Sequence, residues 1–207
     1  AALSVVPQAA RTQPEMVNIP GRKRLSAVCI GYPGLRLGDP DIFPMTVLDA
    51  VISGIGYPSG WLQEHLRGGN KDLVYVVHAY GFYGLEPGYF AVMAACSTEK
   101  MEEVMSIITK DMTAIREQLI TADELERAKA MCITMDKLGR QTNRDMAQQA
   151  ALDELYGFGY KFSQGYDAGI KAVTAADVQR VAQKYLNNPV TVLMGAAPAK
   201  ATEDAPP

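Results

Sequence analysis

A chain of 207 residues, 48% hydrophobic and 21% charged, can bury one substantial core. It excludes a membrane-spanning helix, because no run approaches the roughly 18 consecutive apolar residues that spanning requires. The formal net charge of −3 provides no field to attract a phosphate backbone, which argues against nucleic acid as a partner.

The first 20 residues are rich in Pro, Ala and Gln and read as a linker, with one short extended stretch around Met16 to Ile19. They contain no basic region leading into a long apolar one, so no intact signal peptide is present and the chain reads as an excised piece. Residues 21–197 then read as a single domain, and 198–207 as a disordered tail. Arg24 to Tyr32 is a β-prone apolar run closed by Pro33-Gly34, the pattern of a strand buried on both faces. After the turn-rich stretch Gly38 to Asp41, apolar residues recur at Phe43, Val47, Leu48, Val51, Ile52 and Ile55, which is helical spacing. Ser59 is placed to cap a short second helix, Gly60 to Arg67, that Gly68-Gly69 ends.

Leu73 to Tyr83 and Gly88 to Ser97 flank a Pro- and Gly-bearing turn and read as an antiparallel hairpin. On such a strand Tyr75, Val77 and Ala79 share one face, and Val76, His78 and Tyr80 share the other. From Thr98 the period lengthens. Met101, Val104, Met105, Ile108, Met112, Ile115 and Leu119 mark a long amphipathic helix whose methionines read as core packing. Thr121 and Glu124 form a capping box for a second long helix, expected to run to about Tyr156 with Gly139 as a weak point and its charged positions solvated. A polar aromatic segment follows. Thr174 and Asp177 cap a last helix, and Val190 to Gly195 is a closing strand. The order β-α-α-β-β-α-α-α-β predicts an α+β fold, a two-layer sandwich with a mostly antiparallel sheet covered by long helices.

Self-sufficient chemistry is missing from the sequence. Catalytic zinc needs three converging protein ligands, and the only histidines, His65 and His78, fall in different predicted elements. His65 is expected to face solvent and His78 to pack or hydrogen-bond within the sheet. No G-x-S-x-G, dinucleotide fingerprint or P-loop is present. Cys29, Cys96 and Cys132 each stand alone in apolar runs and read as buried free thiols, which leaves the compartment open.

The stretch Ser59 to Tyr80 carries Ser59, Leu62, Leu66, Arg67, Leu73, Tyr75, Val77 and Ala79. Together they resemble the S-x-x-L-x-x-x-L-R, glycine turn, L-x-Y-x-V-x-A pattern of the C-terminal homologous domains of pitrilysin/insulinase-type zinc peptidases, relatives of the mitochondrial processing peptidase. The resemblance extends over roughly residues 20–197, through IGYPG (30–34), DPD (39–41), the capping segment 121–129 and TAADV (174–178). It implies a domain that binds no metal itself and works against a partner N-terminal H-x-x-E-H domain, on the same polypeptide or a separate subunit, which holds the zinc. It further implies that Arg67 and Tyr75 reach toward a peptide substrate. A guanidinium can grip a carbonyl, and a phenol can donate to a developing oxyanion. The turn GGNKD is one residue longer than the family pattern, so Arg67 need not superpose on the usual arginine.

Three readings follow. The chain is part of a zinc endopeptidase, inactive alone; or it is a degenerate homologue acting as a scaffold, as the core proteins of the respiratory cytochrome reductase do; or it is a peptide-binding module using an exposed sheet edge. A bacterial periplasmic or cytoplasmic setting and self-association through sheet or helix edges are the accompanying expectations.

Overall fold

The computed structural model describes residues 11–21, 25–69 and 71–196. The first ten residues of the expected linker and the tail from 198 onward lie outside the described residues. Strand β1 (Glu15–Gly21) is followed by β2 (Leu25–Pro33), then helices α1 (Ile42–Ser53) and α2 (Trp61–Arg67). The hairpin β3 (Val76–Phe82) and β4 (Tyr89–Ser97) comes next. Helices α3 (Met101–Glu117), α4 (Ala122–Gly139), α5 (Asn143–Leu155), α6 (Tyr166–Ala172) and α7 (Ala175–Tyr185) precede the closing strand β5 (Val190–Ala196). The architecture is α+β, one five-stranded sheet in the order β1-β5-β2-β4-β3 with helices over one face.

The extended stretch around Met16 is a full strand, pairing in parallel with β5 from Glu15↔Val190 to Gly21↔Ala196. The other three ladders are antiparallel. β2 departs from the expectation of two buried faces: Ser26, Val28, Ile30 and Tyr32 are buried, but Leu25 and Ala27 are exposed and Cys29 is half-buried. A continuous apolar run therefore covers a one-sided strand. The inward residues of β2, β3 and β4 meet Leu48 and Ile52 of α1, Leu62 and Leu66 of α2, and Val104, Ile108 and Ile115 of α3 in one core.

The second long helix is two helices. Arg140 leaves helical geometry after Gly139, and Thr142 opens α5 with its own capping box. The Asp145 amide donates to Thr142 Oγ1 at 3.2 Å, and the Thr142 hydroxyl donates to Asp145 Oδ2 at 2.7 Å. That cap is favourable enough to compete with helix continuation past a glycine. The aromatic segment holds the unforeseen α6. Its Gly169 lets the helix approach α1, since a Cβ there would stand 2.5 Å from the Phe43 ring.

Long-range polar ties lock the helical layer. Asp41, at the start of α1, accepts from Arg180 Nη1 and Lys184 Nζ, both at 2.7 Å, and from the Tyr185 hydroxyl at 3.0 Å. Burial pushes the Asp41 carboxyl up, but these donors outweigh it and hold it below the usual carboxylate range. Asp153 does the same for α5. It accepts from Gln149 and from both the amide and hydroxyl of Ser163.

Candidate functional site

Helix α2 is seven residues long, too short to be stable by propensity. Its position comes from tertiary anchors. Leu62 and Leu66, four apart on one stripe, are fully buried. Ser59 does not cap it; Gly60 occupies that place with φ 88°, and a Cβ there would stand 2.8 Å from the Val51 carbonyl oxygen. Only glycine fits so close a backbone approach at a positive φ.

Three alternate side chains of α2 tie it to three different elements. Trp61 Nε1 donates to Glu124 Oε1 at 2.8 Å, Gln63 Nε2 donates to the Val77 carbonyl at 3.1 Å, and His65 Nδ1 lies 2.8 and 3.0 Å from the two oxygens of Asp111. Glu124 serves twice. One oxygen ties down Trp61 and the other completes the Thr121 capping box of α4. Burial pushes its carboxyl up, and the Thr121 and Trp61 donors more than reverse that.

His65 does not simply face solvent. Its side chain is 45% exposed, yet its Nδ1 is engaged by a carboxylate only 6% exposed. A carboxylate is an acceptor, so Nδ1 carries the hydrogen. Burial pushes the Asp111 carboxyl above the usual carboxylate range, and the His65 hydrogen bond and charge offset that only in part. The sequence did hold a signal for this pair: Asp111 stands three residues after Ile108, on the apolar stripe of α3, and a buried acid needs a partner.

Arg67 ends α2 and is exposed; Gly68 follows, its amide donating to the Gln63 and Glu64 carbonyls. The chain then returns so that the Leu73 amide donates to the Leu66 carbonyl at 2.9 Å, and the Tyr75 amide donates to the Ala95 carbonyl at 2.8 Å. Lys100 Nζ steadies the turn through the Asp72 carbonyl at 2.9 Å. Arg67 and Tyr75 are thus delivered to the same end of the sheet. Tyr75 is 65% exposed rather than sharing the burial of Val77 and Ala79, because it precedes the strand. Among the described residues neither side chain has a hydrogen-bond or ion-pair partner.

The second feature is the uncovered face of the sheet. Register aligns Ile19, Met194, Ala27, Ala95 and Val76 in one row across all five strands, and Val17, Val192, Cys29, Met93 and His78 in the next. His78 lies exposed on this face instead of packing within the sheet. Tyr80, Phe82 and Tyr89 form an aromatic cluster at its edge, with Tyr89 stacked on Phe82 at 5.7 Å and edge-on to Tyr80 at 6.0 Å. The side chains left open on this face are mostly apolar, with Ile19, Val76, Met93 and Met194 each at least 40% exposed.

Zinc does not fit these residues. The two histidines belong to separate surroundings, His65 tied to Asp111 and His78 on the open sheet face, and no group of three or more His, Cys, Asp or Glu among the described residues could hold a metal. No described helix is long and apolar enough to cross a membrane. Cys96 and Cys132 are buried and free, and Cys29 is half-buried and free.

Residues 3–132 match the family model described as the peptidase M16 inactive domain. Over 102 residues the chain is 26% identical to an uncharacterized zinc protease, YmxG, of Bacillus subtilis (strain 168), covering 49% of this chain and 24% of that protein. Among solved structures, the peptidase M16 inactive domain from Pseudomonas fluorescens superposes with a TM-score of 0.84 at 19% identity, covering 96% of this chain and 48% of that one. A protease from Helicobacter pylori gives 0.77 at 18% identity, covering 94% and 48%. The inactive peptidase domain of a zinc protease from Bordetella parapertussis gives 0.70 at 18% identity, covering 89% and 98%. The chain spans 24% of the curated relative and about half of the first solved ones. The α+β sandwich, the motif spanning α2 and β3, and the match over most of the first two-thirds agree, and the chain belongs to the M16 zinc metallopeptidase family as one of its inactive domains.

Proposed function

We propose that this chain is the non-metal-binding C-terminal domain of a zinc metalloendopeptidase. It closes the substrate chamber against a partner H-x-x-E-H domain that holds the zinc, and it presents Arg67 and Tyr75 to the bound peptide. The observation that carries this reading is the pairing of an exposed cation and an exposed phenol at one end of the sheet, both unpartnered among the described residues. An unpartnered guanidinium is free to grip a peptide carbonyl, and an unpartnered phenol can donate to the oxyanion formed as that carbonyl is attacked. The zinc and the general base belong to the partner, and this chain's part is orientation and charge stabilisation. The apolar sheet face is the surface on which the partner half closes.

The test is reconstitution with the zinc-bearing half. Tyr75→Phe in the assembled peptidase lowers kcat by about 100- to 1,000-fold with little change in unfolding midpoint. Unaltered turnover removes Tyr75 from the mechanism. One observation favours a second reading, a degenerate homologue acting as a scaffold: the apolar face supports assembly without any catalytic contribution. That reading expects the same association with the partner and no dependence of turnover on either residue.

A further inference from the structure

We propose that the His65–Asp111 pair is the positioning device for Arg67: it fixes the last turn of α2 against α3 and so sets where the guanidinium points. The functional meaning of this device rests on the reading of Arg67 given above, whereas its physical basis does not.

The argument is mechanical. The buried anchors of α2, Leu62 and Leu66, lie along a single line and leave the helix free to roll about it unless its flanks are tied. Trp61 and Gln63 tie the first turn, to α4 and β3 respectively. In the last turn the side-chain tie is His65, two residues before Arg67, holding Asp111 of α3 through both carboxylate oxygens, beside the backbone bond from the Leu73 amide to the Leu66 carbonyl. Asp111 is 4% exposed, and a buried carboxylate that loses its donor bears its full desolvation penalty. The pair therefore resists rotation of α2 more strongly than an exposed ion pair would. Gly68 follows at once and the chain turns away, so a rolled last turn would carry Arg67 with it.

The experiment uses the assembled peptidase, a pool of internally quenched peptides and hydrogen exchange read by mass spectrometry. His65→Ala is expected to raise exchange in residues 61–69 by about tenfold while β2, β4 and α7 stay unchanged. His65→Asn, whose side-chain amide places an N–H where Nδ1–H stood, restores slow exchange. Turnover falls in His65→Ala by about as much as in Arg67→Ala, and the double variant is no slower than Arg67→Ala alone. Unchanged exchange in 61–69, a rise spread equally over the whole domain, or losses that multiply in the double variant each overturn the proposal. If Arg67→Ala itself leaves turnover intact, the Arg67 reading fails separately, and exchange with its rescue by Asn decides the positioning role.

Discussion

Removing the Asp49 carboxylate should stabilise the protein at neutral pH and do nothing in acid. Asp49 lies on α1, where the Ser53 hydroxyl donates to it at 2.5 Å. Burial pushes the carboxyl from its ordinary 3.8 to about 6, against the downward pull of Ser53. The folded chain thus keeps this proton up to about pH 6, whereas the unfolded chain releases it near 3.8. Between those values the unfolded state binds fewer protons, so stability falls as pH rises and the loss is complete above about 6. A carboxyl held at about 6 instead of 3.8 costs at most about 3 kcal/mol above that pH, since the group retains some contact with solvent. Asp49→Asn keeps an acceptor for Ser53 and removes the charge. Urea unfolding at pH 7.5 should find the variant more stable by about 2–3 kcal/mol, and at pH 3.5 the two proteins should coincide. A difference that stays constant across that range would show that the carboxylate is not desolvated as the structure indicates.

Asp41→Ala strips the anion from between Arg180, Lys184 and Tyr185. Because the two cations are half-exposed and can rehydrate, the loss in urea unfolding should be about 2–3 kcal/mol rather than the larger figure for a fully buried triad. Thr142→Ala removes the cap of α5 and should cost about 1 kcal/mol, with faster hydrogen exchange confined to residues 143–155; an unchanged profile would mean that Asp153 alone holds this helix. Ellman titration of the native chain should find Cys29 reacting first and Cys132, pushed to about 12 by burial and then by the Asp49 charge, reacting only on unfolding. Binding of the zinc-bearing half should then protect Cys29, and unaltered labelling would move the partner's seat off the open sheet face.

Local periodicity carried most of the fold. The apolar stripe of α3 is buried at Met101, Val104, Ile108, Met112 and Ile115, and the capping boxes at Thr121 and Thr174 form as their spacing predicts. What the sequence could not display depends on partners far along the chain. The extended stretch read around Met16 to Ile19 gains its parallel pairing and full length from β5 beside it, and α6 forms where Ile170 is buried and Gly169 meets Phe43. The split between α4 and α5 was legible in Thr142 and Asp145, but a helix-favouring composition on both sides hid it. For the site, spacing alone gave Arg67 and Tyr75 no special standing; the family resemblance singled them out, and the structure supplies their exposure and the mounting of α2. The ties of Trp61 to Glu124 and of His65 to Asp111 cross 63 and 46 residues, so that even where an acid on an apolar stripe signals that a partner is needed, as at Asp111, local pattern does not say which residue it is.

The strand order has a consequence for biosynthesis. β5 is translated after the other four strands yet inserts between β1 and β2. Until residues 190–196 leave the ribosome, β1 has no neighbour and one flank of β2 is open, its amides and carbonyls available to any passing strand. A nascent chain stalled before that point carries a nearly complete helical layer over an unfinished sheet. Closing it pairs Glu15 with Val190, segments roughly 175 residues apart, so the final step should be slow and the waiting state prone to aggregate.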